Sequence, residues 1–238
     1  MGLEKLIDAL SDMEVVDLGQ TLEDHMPVHP THSRFFKMLW HSPDFGDCCT
    51  DYQLVLNEHN GTHVDSFRHY INQDGYAWID EIPLERFSAP CVTIDATFLG
   101  ACQVLTKEQI QAWEQKNGAI RSGDAVLIDT GWMSRWAVRP NDTAFTHDYP
   151  GLSGDGAAYL VERGAAFVGI DTLGIDCWGA DCDPAHQKLL SSRVPVVENL
   201  NNLGKLHGKR GYFVMLPLKI RAGSASPVRP VVLVDREA

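Results

Sequence analysis

Between residues 124 and 172 the chain reads DAVLIDTGW, then a polar loop to about Pro150, then SGDGAAYLVERG and AAFVGIDT. The outer segments are near-continuous apolar runs without polar alternation, the pattern of strands covered on both faces. The segment between them is helical, with Ser153 placed as its N-cap. A strand, a helix and a strand in this order point to an α/β arrangement with a covered sheet. The rest of the sequence extends the alternation. Residues 3–11 follow the helical period, and VVDLGQTLEDHMPVHP is a short strand running into a proline-punctuated loop. CVTIDAT (91–97) is a further buried strand. LTKEQIQAWEQKNG (105–118) is a helix that Thr106 and Gln109 open as a capping box and Gly118 closes. YFVMLPL and PVVLVD supply two strands near the C-terminus. No repeat, low-complexity tract or Gly/Ser linker interrupts this pattern, so one domain over residues 1–238 is expected.

Bulk properties exclude several functions. The chain has 238 residues, 44% hydrophobic and 22% charged, enough apolar material to bury a sizeable core. Twenty basic residues against 32 acidic ones leave a net charge of -12 with no basic run, so nucleic acid and anionic membranes are expected to be repelled. MGLEKLIDALSDMEVVDLG lacks the layout of a secretory signal, and no stretch of about 18 apolar residues occurs. A cytoplasmic location is expected. Leu6 stands where a myristoylation signal needs Ser or Thr. Cysteines 48, 49, 91, 102, 177 and 182 include no paired C-x-x-C and are expected to be reduced, small apolar residues.

EHNGTHVDSFRHY (58–70) concentrates three histidines and an aspartate. Positions 59, 61, 63, 65 and 69 are all odd, and in an extended chain they project to one side. His59, His63 and Asp65 would then converge, with Gly61 leaving room for an ion. Two imidazoles and a carboxylate suit zinc, manganese or iron, and the two oxygens of Asp65 allow it to bridge two ions. Further donors are sought elsewhere. His186 and Glu198 bracket a helix-like stretch and the strand-like VPVVE; taken singly, each has a surface or capping role open to it as well as ligation.

Together these segments resemble the metal-dependent hydrolases of the cyclase family, to which bacterial kynurenine formamidase and isatin hydrolase belong. The family signature H-x-G-T-H-x-D-x-P-x-H is met by His59-Asn-Gly61-Thr62-His63-Val-Asp65-Ser-Phe67-Arg-His69. MPVHP, GDAVLIDTGW, GLSGDGAAYLVERGAAFVGIDT, HQKLLSSRVPVVENLNNL and GSASPVRPVVLV look like further family segments. The resemblance implies a single swivelling β/β/α domain, usually a homodimer or higher oligomer such as a homotetramer. His59, His63 and Asp65 would bind a first divalent ion, zinc or manganese. Asp65 would bridge to a second held by His186 and Glu198, and His69 would be the catalytic acid/base. One position departs: Phe67 replaces the signature proline, which puts the substrate in question more than the metal.

The implied activity is hydrolysis of a carbon–nitrogen bond in a small aromatic amide, of the N-formylkynurenine (arylformamidase) type. Opening of a cyclic amide such as isatin, or of a lactone, uses the same chemistry, and a non-catalytic metal-binding protein is the alternative of another class. Phe35, Phe36, Trp40, Phe67 and Trp78 are the substrate-binding candidates, as an aromatic wall. Asp176, Cys177 and Asp181 lie in a loop before His186 that can reach the pocket. GLSGDG lacks the Lys-Ser/Thr of a phosphate loop and is a turn leading into a helix.

Overall fold

The structure, a computed structural model, describes residues 2–236. Its strands are β1 (Met13–Asp17), β2 (Phe36–His41), β3 (Asp51–Val55), β4 (His63–Asp65), β5 (Ser88–Asp95), β6 (Val104–Leu105), β7 (Ala125–Asp129), β8 (Gly151–Leu152), β9 (Phe167–Ile170), β10 (Val196–Glu198), β11 (Arg210–Val214), β12 (Ala225–Pro227) and β13 (Val231–Asp235). The helices are α1 (Leu3–Ser11), α2 (Lys107–Asn117), α3 (Thr143–Thr146), α4 (Gly154–Glu162) and α5 (Pro184–Ser191). Nine strands form one sheet in the order β1-β13-β11-β5-β7-β9-β10-β4-β12.

The centre of the sheet is the segment anticipated from the sequence. β5, β7, β9 and β10 run parallel, and every residue of β7 and β9 is buried. The strand-helix-strand unit is β7-α4-β9, with Ser153 Oγ accepting from the Gly156 amide at the start of α4. The capping box of α2 is also present, Thr106 and Gln109 bonding each other's backbone amides. One large apolar core joins Ile110 of α2, Leu160 of α4 and Leu189 and Leu190 of α5 to Leu127, Ile128, Phe167 and Val168 of the sheet. Each such side chain contributes roughly 1.5–3 kcal/mol by leaving water.

Both ends of the chain add antiparallel strands to this parallel centre, and one addition builds the functional region. β4 pairs antiparallel with β10 in a register that sets His63 opposite Glu198 and Asp65 opposite Val196. Directly opposed side chains in such a ladder lie about 5 Å apart on one face, so pairing alone brings two polar groups 135 residues apart into contact. Two ribbons stand outside the large sheet, β6 with β8 and β2 with β3. All five residues of β3 and all but His41 of β2 are exposed.

The loop between β9 and α5 is tied down by a close approach. Ile175 O accepts from Leu152 N, and a Cβ added at Gly151 would overlap Cys177 N and the Asp176 carbonyl carbon. Only glycine fits, because backbone on that side cannot swing away. Gly151→Ala is therefore expected to destabilise the fold by about 3 kcal/mol, read as the shift in urea-unfolding free energy. A loss under about 0.5 kcal/mol would show that this loop yields freely.

Candidate metal centre

His59 sits in a turn, its amide donating to Asn57 Oδ1 while Asn60 Oδ1 accepts from Asn57 N. Only His63–Asp65 is extended, and His69 ends a single 3-10 turn, Phe67–His69. The odd-number parity thus accounts for His63 and Asp65 alone; turns on either side deliver His59 and His69. Gly61 has a different job from the one expected. Its φ is +63°, and a Cβ there would meet Leu22 Cδ2 at 2.6 Å, so glycine is required by backbone conformation and by Leu22, not by space for an ion. Its carbonyl accepts from His63 Nδ1 at 2.9 Å and from Asn199 Nδ2 at 3.0 Å. That bond holds a proton on Nδ1 and leaves Nε2 facing the carboxylates.

Asp65 is fully buried at the centre. Its Oδ1 is 3.0 Å from His59 Nδ1 and 3.6 Å from His63 Nε2, and its Oδ2 is 3.6 Å from His186 Nε2. Glu198 closes the cluster, with Oε2 3.3 Å from His63 Nε2 and Oε1 3.1 Å from His186 Nε2. His186 is held from behind by Asp176, which accepts from its Nδ1 at 2.7 Å. The same carboxylate accepts from the Ala185 and His186 amides. It therefore caps α5, whose own N-cap residue Asp183 makes no side-chain cap.

These residues fit a divalent cation. Both oxygens of Asp65 and Nε2 of His63 are buried without a hydrogen-bond partner, and a buried carboxylate left so is costly unless a cation answers it. Donor atoms of His59, Asp65 and His69, and separately of His63, Asp65 and Glu198, lie within 4.8 Å of one another. Asp65 belongs to both groups, so the cluster accommodates one ion or an Asp65-bridged two. His69 lies among the donors, its ring 4.2 Å from that of His59.

The charges follow the same layout. Burial opposes charge on His186, but its hydrogen bond to Asp176 and the nearby carboxylates of Asp65 and Glu198 outweigh it and hold its pKa well above the usual range. Burial would raise Asp65 as well, yet the surrounding histidines hold it well below the carboxylate range. His69 goes the other way: burial, only partly offset by Asp65 and reinforced by His59, pushes it down to about 4. It is a neutral imidazole, able to take a proton.

Above the cluster opens a pocket of about 520 Å³ that includes Tyr70, Tyr149, Trp178 and His32 among its walls. None of the five aromatic residues expected there lines it. Phe67 is buried in the large core, where it anchors the turn that carries His69. Phe35 packs with Met26 and Val28 in a separate small cluster. Phe36 and Trp40 stand exposed on β2, and Trp78 lies beneath the Arg68 guanidinium. Apolar character selected these residues, and the pull of a core or an unpaired ribbon answers to that character equally well. Tyr70 follows His69 directly and stacks on His186 at 4.6 Å, a signal that adjacency offered. Tyr149 and Trp178 come from separate loops, and nothing local in the sequence marks them.

An α/β sheet carries a histidine–carboxylate nest at the floor of an open pocket, the layout of an enzyme whose donor set suits a divalent cation. Comparison with known proteins narrows this. The family model described as "Putative cyclase" matches residues 16–177. The isatin hydrolase of Roseibium aggregatum is 32% identical over 196 residues, 77% of this chain and 74% of that protein. The kynurenine formamidase of Polaromonas naphthalenivorans is 25% identical over 94% of this chain and 92% of its own length. A crystal structure of an isatin hydrolase bound to the product analogue thioisatinate superposes with a TM-score of 0.91 at 27% identity, covering 99% of this chain and all of that one. The chain belongs to the cyclase family.

Asp65→Asn keeps the volume and removes the shared charge. It is expected to cut bound divalent metal to below about a tenth of stoichiometric, measured by elemental analysis after gel filtration. Full retention of metal would remove Asp65 from the centre.

Proposed function

We propose that this protein hydrolyses the carbon–nitrogen bond of a small aromatic amide, using one or two divalent ions, zinc or manganese, with His69 as acid/base. The observation that carries this is Asp65, buried, without hydrogen-bond partners and common to both donor groups, at the floor of a pocket walled by Tyr70, Tyr149 and Trp178. A divalent ion bound there lowers the pKa of a bound water and polarises a carbonyl oxygen. His59, His63 and Asp65 would hold the first ion, and Asp65, His186 and Glu198 a second. Asp176 fixes His186 in place. Neutral His69 takes a proton from the attacking water and returns it to the leaving nitrogen, so that the new C–O bond forms as C–N breaks. Tyr149 and Trp178 offer ring edges against which an aryl group packs.

A linear N-formyl amide would release formate and an arylamine, as the relatives called kynurenine formamidase suggest. A lactam would open to a carboxylate still tethered to its amine, a second reading favoured by the near-complete superposition on an isatin hydrolase. Turnover of N-formylkynurenine, isatin, cyclic imides and lactones, with and without added zinc or manganese, separates these. His69→Ala should keep its metal and lose at least about a hundredfold in kcat; an unchanged rate would remove its role. No turnover across the panel by a fully metal-loaded protein would favour a binding function.

No helix among the described residues is long and apolar enough to cross a membrane, and we read the chain as cytoplasmic. The β2–β3 ribbon exposes Phe36, Met38, Trp40, Tyr52 and Leu54, each 44% or more accessible. A lone two-stranded ribbon is marginal in water and a patch of this kind seeks cover. A homodimer formed across it would shield Phe36 and Trp40 with the second copy. Trp40→Asp should then shift the sedimentation coefficient to that of a monomer, whereas a monomeric parent protein would rule the dimer out.

A further inference from the structure

A second concavity lies between α2, β5 and the segment entering β11, and shares no residue with the histidine pocket. In the sheet β7 and β9 separate β5 from β10, three strand spacings or about 14 Å. It has two adjoining compartments of about 380 and 540 Å³, both including Thr93 of β5 and Trp113, Lys116 and Asn117 of α2. Gln109, Ala112, Trp113 and Lys116 recur at three- and four-residue intervals, so one stripe of the helix forms a wall.

Two independent features mark the groove as built for a ligand. The first is charge. The larger compartment is lined by Lys116, Arg121, Lys209 and Arg210 and by no carboxylate, in a chain where acidic residues outnumber basic ones 32 to 20. Arg210 bonds buried Asp124, while the side chains of Lys116 and Arg121 enter no ion pair among the described residues. The C-terminus of α2 adds partial negative charge, which Lys116 in the last turn offsets.

The second feature is Thr93. It is 3% exposed, and its hydroxyl is buried without a hydrogen-bond partner. Leaving such a group unpaired is costly, a cost removed by a ligand atom that accepts its hydrogen. Phe98, 60% exposed, and Trp113 flank the smaller compartment, whose one carboxylate, Asp95, lies 3.8 Å from His207, and the two rings suit a flat ring away from the anionic end.

We propose that this groove binds a small aryl carboxylate, its anionic end between Lys116 and Arg121 and its ring against Phe98 and Trp113. The planar guanidinium of Arg121 matches a carboxylate in shape as well as charge. Isothermal titration of the metal-loaded, full-length protein with indole-3-carboxylate tests this. Saturable binding is expected, weaker by at least about tenfold in the Lys116→Glu, Arg121→Glu double variant and by about fivefold in Thr93→Val. It should persist in Asp65→Asn, whereas indole and inorganic phosphate should each bind more weakly than the carboxylate. Both reversed residues are exposed, so the double variant should melt with the parent. Four results would overturn the proposal: no saturable heat; binding unaffected by the double substitution; binding lost only in Asp65→Asn, which would make the histidine pocket the receptor; or phosphate bound as tightly as the carboxylate.

Discussion

Two buried carboxylates, Asp65 and Glu198, face three imidazoles at the floor of a pocket, and much of the surrounding structure follows from keeping them there. The β4–β10 register sets Glu198 against His63. The Gly61 carbonyl orients His63, and Asp176 orients His186. Burying such groups costs them their hydration, and for both carboxylates the surrounding imidazoles, with the Ile175 amide on Glu198, answer that loss. The apolar core of β7, β9, α4 and α5 supplies the stability against which that cost is borne. A cation then finds ligands already arranged, with little ordering left to be done on binding.

The fold was legible where a single physical demand governs a segment. Apolar runs flanking a capped helix have one good solution, and β7-α4-β9 is that solution. That the histidines and Asp65 gather in one place was legible for a related reason: polar rings at that density are seldom scattered over a surface. The manner of convergence was not. Alternation in a strand explains His63 and Asp65, but His59 and His69 arrive through turns set by Asn57, Asn60 and buried Phe67. Gly61 answers to Leu22, a residue 39 positions away, and no local pattern carries that information.

The aromatic wall was the least legible part, and the reason is general to pockets. A ring against a substrate and a ring in a core obey the same preference for leaving water. Only the path of the chain separates Phe67, which props up the turn bearing His69, from Tyr149 and Trp178, which border the cavity. Charge behaves in the same way. A net charge of -12 describes the molecule at a distance, yet it says nothing of the basic groove beside α2, where the sheet and a returning loop gather cations from distant parts of the sequence.

Asp176 joins functions that are usually separable. It lies in the loop bordering the pocket, where variation would tune substrate preference, yet its carboxylate both caps α5 and grips His186. Gly151 fixes the backbone on which it rides. Exchanging this loop between relatives thus cannot alter pocket shape alone. A transplanted segment that lacked an acid at this place would unmoor the histidine that faces Asp65 and Glu198 and leave a helix end bare, so divergence of specificity here is constrained to substitutions around a fixed aspartate.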